Sequence, residues 1–240
     1  MADAHLGNRH HQGQAQASRQ LYSFWRSIAR PGNTLFILGD LFDFWFEWPQ
    51  AVPERHYQTL RELRNLVSAG VEVHLLPGNH DFHFGSFLPR EVGLQLHPEP
   101  YEFEWEGKRF HVRHGDGLDP GKTGYHLLRR VLRNPLSIAL FRLLPPVAGM
   151  WLADTVSGIS SQRSLSSDTV GFDPMERYSK TKIAAGADYV VMGHLHIPHQ
   201  SGTSESGWLV LGDWIRQFSY AQYDEGGLQL KEFRDNEGDR

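Results

Sequence analysis

Thr34-Leu35-Phe36-Ile37-Leu38-Gly39-Asp40-Leu41-Phe42-Asp43 is the stretch that decides the fold. Its first five residues are apolar or β-branched, which predicts a short buried strand. The strand runs into Gly39, where the chain can turn sharply and let another group approach the backbone. A carboxylate, Asp40, follows at once. The same pattern returns three times. Val71-Glu72-Val73-His74-Leu75-Leu76 leads into Pro77-Gly78-Asn79-His80-Asp81. Arg109-Phe110-His111-Val112-Arg113 leads into His114-Gly115-Asp116. Tyr189-Val190-Val191-Met192 leads into Gly193-His194-Leu195-His196. A fifth cluster, Asp3-Ala4-His5, opens the chain. Between the first two runs, Leu60, Leu63, Leu66 and Val67 recur at helical spacing across 57–69, with Arg61, Glu62 and Arg64 on the other faces. Strands alternating with helices predict an α/β fold, and open α/β sheets carry their sites just beyond the carboxyl ends of the strands. Five distant stretches can therefore converge on one point.

Each cluster alone has a plain structural reading: a Gly-Asp turn, or a pair of surface or core histidines. Together they offer carboxylate, amide oxygen and imidazole nitrogen, the mixture that hard and borderline divalent ions take.

The ordered set resembles the motifs of the calcineurin-like metallophosphoesterases: D-x-H at Asp3 and His5, G-D-x-x-D at Asp40 and Asp43, G-N-H-D at Asn79 to Asp81, H-G-D at His114 to Asp116, and G-H-x-H at His194 and His196. The resemblance extends from Asp3 to about Asp213. It implies a single α/β domain over 1–240, a double-layered mixed β-sheet sandwich flanked by helices, holding two divalent metal ions in one site. By motif, Asp3, His5, Asp40 and His196 would hold one metal. Asp40, Asn79, His114 and His194 would hold the other, with Asp40 bridging. The resemblance makes His80 the candidate general acid or transition-state stabiliser; the alternative is that it only orients Asn79. Asp43 and Asp81 are expected to fix ligand rings. Asp116 either does the same for His114 or caps the turn after it.

Within that superfamily the chain is most similar to the UDP-2,3-diacylglucosamine diphosphatases of lipid A biosynthesis. The likeness rests on the aromatic run Leu41-Phe42-Asp43-Phe44-Trp45-Phe46, on His114-Gly115-Asp116-Gly117-Leu118 followed by Gly124-Tyr125, and on a helical insertion before the last histidine pair. It implies a pyrophosphohydrolase that cleaves a nucleotide-linked lipid sugar to UMP and the lipid sugar 1-phosphate. Manganese would be its metal, and its place the cytoplasm, peripheral on the inner membrane. Two departures stand out. Many members carry arginine where this chain has His80, which leaves room for a related substrate. Members also have a strand before the D-x-H motif, whereas only Met1 and Ala2 precede Asp3 here; the expectation is a start upstream of Met1.

The insertion spans 121–167. Leu127, Leu128, Val131 and Leu132 recur at helix spacing among Arg129, Arg130 and Arg133. A second apolar helix over 136–144 stops at Pro145-Pro146, and a third apolar pattern resumes over 147–156. None reaches the roughly 20 apolar residues of a membrane span. The segment reads either as helices packed on the main body or as a cap that takes acyl chains and touches the inner-membrane surface. Tyr125 is a candidate substrate contact. Ser157, Ser161, Arg163 and Ser164 are expected in a polar loop able to grip pyrophosphate or uridine, or in an ordinary connector. Trp45, Phe46 and Trp48 either line an acyl channel or belong to the core, Trp45 leaning to core. His10-His11 reads as a surface pair.

Composition narrows the alternatives. A net charge of −4 offers no basic field for nucleic acid. The absence of cysteine excludes disulfides, thiolate metal sites and cysteine nucleophiles. Competing functions are a metal-dependent phosphodiesterase or phosphomonoesterase with no lipid role, and a metal-binding module that has lost catalysis. Oligomeric state is not legible. Towards the end, 208–212, 218–223 and 228–233 are expected as strands completing the second sheet, with Gly212-Asp213-Trp214 turning near the site.

Overall fold

The computed structural model describes residues 1–8, 13–48, 51–121, 123–164 and 172–235, apart from the side chains of 156–164. His10 and His11 lie outside these residues. Two sheets stack face to face. The first is parallel, with order β1 (Thr34–Leu38), β2 (Glu72–Leu76), β3 (Gln95–Leu96). The second has order β4-β5-β6-β8-β7, from β4 (Tyr101–Trp105), β5 (Lys108–Arg113), β6 (Tyr189–Met192), β7 (His199–Gly202) and β8 (Gly207–Val210). Its central strands β5, β6 and β8 are parallel, and its two edges are antiparallel.

Period-2 alternation sorts the side chains into layers. Leu35, Ile37, Val73 and Leu75 point to one side of the first sheet, where they meet Leu21, Phe24 and Trp25 of α1 (Gln14–Ser27) and Leu63 and Leu66 of α2 (Tyr57–Ser68). Phe36, Leu38 and Leu76 point to the other side, against Phe110, Val112, Tyr189, Val191 and Leu209 of the second sheet. The outer face of the second sheet, Val190, Met192, Trp208 and Val210, is covered by Met175 of α6 (Asp173–Ala184). A side chain as fully buried as Ile37 or Leu75 contributes about 1.5–3 kcal/mol.

The expected double-layered α/β sandwich is present, and the four motif-bearing strands coincide with β1, β2, β5 and β6 to within one residue. One expectation changes. The closing strands do not all join the second sheet. Only β8 pairs there, while β9 (Ser219–Asp224) and β10 (Gly227–Glu232) form a separate hairpin whose Tyr223, Leu228 and Leu230 close the inter-sheet core. Met1 lies along β1: its amine donates to Phe36 O at 2.9 Å and its carbonyl accepts from Leu38 N at 2.8 Å. Asp3 N continues the ladder to Gly39 O at 3.2 Å.

The insertion folds as α3 (Thr123–Leu132), α4 (Pro135–Arg142) and α5 (Pro146–Ser164). Asn134 caps α4 by accepting from Leu136 N, and Pro135 and Pro146 stand at the starts of their helices, where a missing N–H costs nothing. Ser157, Ser161, Arg163 and Ser164 thus belong to the end of α5 rather than to a loop; their side chains lie outside the described residues. Trp45, Phe46 and Trp48 are all buried. Phe46 and Trp48 pack against Phe141 of α4, and Trp48 Nε1 donates to Leu144 O at 3.0 Å, so these aromatics seat the insertion on the body. Arg55 and Asp154 add an ion pair at 2.6 Å.

Under this seat His56 is fully buried, its Nε2 donating to Phe44 O at 3.1 Å and its ring against Phe42. Burial, reinforced by the Arg55 charge, pushes its pKa down to about 3. Below its ordinary 6.5 the unfolded chain binds the proton that the folded chain refuses, so stability falls as pH drops from 6.5 towards 3. Against a His56→Gln variant, the wild type is expected to lose about 1 kcal/mol more per pH unit between about pH 6 and 4, by urea unfolding. Parallel pH slopes would contradict this.

Candidate metal centre

Because β1 and β2 run parallel, as do β5 and β6, their carboxyl ends bring Asp40, Asn79, His114 and His194 to one edge of the sandwich. Backbone conformation marks the place. Seven non-glycine residues among those described have left-handed φ, and five of them are Asp3 (58°), His5 (43°), Asp40 (50°), His194 (75°) and His196 (57°). Such conformations cost about 1–3 kcal/mol each and persist where the surroundings over-determine them. Gly39 is needed in turn: a Cβ there would sit 2.6 Å from Gly78 Cα.

Asp40 sits between two groups of nitrogens. Its Oδ2 is 3.6 Å from His5 Nε2 and 3.4 Å from His114 Nε2, and its Oδ1 accepts from His80 N at 2.8 Å. On one side, His5 Nε2 and His196 Nε2 face each other at 3.2 Å, and Asp3 Oδ1 lies 3.4 Å from His196 Nε2. On the other, His114 Nε2 is 2.9 Å from Asn79 Oδ1, and the His194 ring lies 5.1 Å from the His114 ring. His114 Nδ1 donates to Leu38 O at 2.9 Å, which aims Nε2 inward. Six of the seven sequence-predicted ligands are thus linked by short contacts between potential donor atoms. His194 is placed by its backbone N–H, which donates to Asp3 Oδ2 at 2.9 Å.

The donor set fits two divalent cations. Asp3 Oδ1 is buried with no hydrogen-bond partner, and two triads, Asp3-His5-His196 and Asp3-Asp40-His114, each present ligand atoms within 4.8 Å of one another. Without cations the cluster balances itself with protons. Burial works against a charge on His114 and His196, but the carboxylates prevail. Asp40, with Asp3 and Asp116, holds His114 well above its usual value, and Asp3 with Asp213 lifts His196 to about 10. Burial keeps His5 neutral, down to about 3, and His194 down to about 4. Cations would take the place of those protons.

The supporting residues divide their work differently from the sequence expectation. Asp43 does lie by ligand rings: its Oδ1 is 3.8 Å from His5 Nδ1 and 3.7 Å from His80 Nδ1, and it accepts from Asn8. Asp81 touches no ring. It accepts the backbone N–H groups of Gly78, Asp40 and Phe42, tying the first two strand ends together. Among the described contacts Asp116 meets α3: it accepts from Tyr125 Oη at 3.0 Å and pairs with Arg129 at 2.6 Å and Arg133 at 3.6 Å. The reason is geometric: after the Gly115 turn its carboxylate faces α3. Tyr125 is therefore engaged with Asp116. His80 keeps its ring in place by donating Nδ1–H to Asp43 O at 3.0 Å, while the ring stacks edge-on to His5 at 4.7 Å.

Asp213 is the residue whose role the motif reading left undefined. Its Oδ1 accepts the N–H groups of Ile215, Arg216 and Gln217, and its Oδ2 lies 3.4 Å from His196 Nδ1. Only the Gly-Asp after a late strand hinted at it. Asp213→Asn keeps the turn but removes the charge behind His196. We expect divalent-metal affinity to fall about 10–100-fold in a calorimetric Mn2+ titration, with Tm nearly unchanged. Unaltered affinity would remove Asp213 from the site.

A family model of the calcineurin-like phosphoesterases matches residues 1–198. A UDP-2,3-diacylglucosamine hydrolase of Porphyromonas gingivalis is 32% identical to this chain, covering 98% of it and 97% of the relative. One from Pseudomonas putida is 33% identical, covering 90% and 92%, and one from Ectopseudomonas mendocina is 31% identical, covering 97% and 96%.

Proposed function

The chain belongs to the calcineurin-like phosphoesterase family, and from that premise we propose that it hydrolyses the pyrophosphate of UDP-2,3-diacylglucosamine to UMP and the lipid sugar 1-phosphate, in lipid A biosynthesis. The observation that carries this reading is the near-full-length identity of about one third to hydrolases of that substrate. It is supported by clusters of metal-type donors at one edge of the sandwich.

Asp3, His5, Asp40 and His196 would hold one cation, and Asp40, Asn79, His114 and His194 the other, with manganese as the metal. Bound there, two divalent cations supply Lewis acidity, offsetting phosphate charge and making water a competent nucleophile near neutral pH. Asp40 presents one carboxylate oxygen to both histidine groups, and its other oxygen anchors the His80 backbone. His80, with Nδ1 committed to Asp43 O, is left with Nε2 to hold or deliver a proton at the leaving oxygen. Tyr125, Ser157, Ser161, Arg163 and Ser164 are the candidate substrate contacts.

The 121–167 segment acts as the cap. Among the described side chains of α3 and α4 none is buried, and Leu127, Leu136, Leu143, Val147 and Trp151 are each more than three-fifths exposed. Exposed apolar side chains on consecutive helices suit acyl chains and contact with a membrane surface. Among the described residues no helix is long and apolar enough to cross a membrane. A cytoplasmic enzyme resting on the inner membrane fits that surface.

The test is UMP release from UDP-2,3-diacylglucosamine with Mn2+, beside bis-p-nitrophenyl phosphate. Preferred turnover of the lipid substrate is expected. Diester cleavage with no UMP would keep the phosphoesterase and reject the substrate.

A further inference from the structure

The inner stripe of α3 has no part in the scheme above. Arg129 and Arg130 are adjacent, and each stands three or four residues from both His126 and Arg133, so the four share a helix face. Together with Asn134 they line a cavity of about 460 Å³. The apolar residues of the same helix, Leu127, Leu128, Val131 and Leu132, are exposed.

Charge in this region does not balance. Arg113 and Arg129 pair with Glu99, and Arg129 and Arg133 with Asp116. Arg130 lines the cavity and is exposed, without an ion pair among the described residues. Four guanidiniums (Arg113, Arg129, Arg130, Arg133) thus stand against two carboxylates (Glu99, Asp116), an excess of two positive charges. Guanidinium forks match phosphate oxygens in geometry and are more weakly hydrated than ammonium groups.

Position ties the cavity to the metal cluster. Arg133 Nη2 donates to Gly78 O at 2.8 Å, and its guanidinium lies 5.5 Å from the centre of the Phe82 ring. Gly78 precedes Asn79, whose Oδ1 is 2.9 Å from His114 Nε2. The inner wall of the cavity is therefore the rim of the site. A headgroup contact at a membrane would not require Arg133 to fold back onto that loop.

We propose that this cavity is a phosphate subsite of the substrate-binding surface, in which Arg130 and Arg133 grip a phosphoryl group of the pyrophosphate while Asp116 holds Arg129, and with it α3, in register. The assignment of that phosphate to a pyrophosphate substrate rests on the hydrolase reading.

The probe is inorganic pyrophosphate, used to inhibit bis-p-nitrophenyl phosphate hydrolysis by the Mn2+-loaded full chain at fixed free Mn2+. Arg130→Gln and Arg133→Gln should each raise its Ki about tenfold, the loss of one charge-assisted contact. Arg133→Lys, which keeps the charge, should recover much of that loss. For the UDP-linked substrate the same variants should raise KM more than they lower kcat. Among the described residues Arg130 makes no ion pair that its removal would break, so its variant separates anion binding from folding. Unchanged Ki in both glutamine variants would overturn the subsite. So would loss of binding to phosphatidylglycerol vesicles with Ki unchanged, which would assign the cavity to a lipid headgroup. If the wild type released no UMP, the hydrolase reading would fall, while a shifted pyrophosphate Ki would still stand for the subsite.

Discussion

Replacing Asp40 with alanine is expected to lower UMP release by at least about a thousandfold and to empty both halves of the metal centre. Among the described residues no other carboxylate stands within 3.6 Å of a nitrogen from each histidine group while its second oxygen holds the His80 backbone. Deleting it removes the charge shared by both cations and frees the loop that carries Asn79 and His80. Alanine also sits poorly at φ 50°, a strain of about 1–2 kcal/mol that Asn tolerates better. Asp40→Asn is therefore the informative companion. It should keep the fold, by Tm, and still lose metal and activity. Metal content by mass spectrometry and the rate of UMP release read the two effects separately. An asparagine variant keeping more than about a tenth of wild-type turnover would remove Asp40 from the bridging position.

Asp81→Ala should be the most destabilising single change in the site, by about 3 kcal/mol, or roughly 6–12 °C in Tm. The side chain is fully buried and accepts three backbone N–H groups, from Gly78 and Asp40 at 2.9 Å and Phe42 at 3.0 Å. Alanine leaves all three donors without a partner where water does not reach. Asparagine can still serve Gly78 and Asp40 through its oxygen but turns an N–H towards Phe42 N, so the expected order of Tm is wild type, then Asp81→Asn, then Asp81→Ala. Burial, aided by the Asp40 charge, pushes the Asp81 carboxyl up to about 7. A folded pKa above the unfolded value means that the proton's contribution is complete below pH 4 and is lost as pH rises towards 7. The gap between wild type and alanine variant in the metal-free protein should accordingly narrow over that window, measured by urea unfolding. Equal Tm for alanine and wild type would show that Gly78, Asp40 and Phe42 find other acceptors.

Much of the site could be read from residue order alone, because each ligand cluster terminates a strand and a strand's carboxyl end is a fixed place in an α/β sandwich. His114 shows the mechanism: its position after β5 brings it to the edge, and the Leu38 carbonyl at the end of β1 sets its ring. Asp81 and Asp116 show where that reading stops. Both follow a ligand motif and look alike in sequence, yet one binds backbone amides and the other binds α3, because the direction a carboxylate takes after a tight turn depends on the neighbours that meet it. Helices α1 and α6 were not singled out, since their apolar positions acquire meaning only against the sheet faces they cover.

The α/β class and the strands β1, β2, β5 and β6 were legible in the chain itself, because short-range periodicity is a local property, whereas the seven metal-type donors were named by resemblance to a family's ordered motifs. Only folding brings the donors face to face, puts Asp40 between two groups and Asp213 behind His196, makes β9 and β10 a hairpin of their own, and turns Arg133 back onto the rim. Those are contacts between residues up to 193 positions apart, such as Asp3 with His196, and their distances follow from how two twisted sheets pack rather than from any stretch of chain read alone.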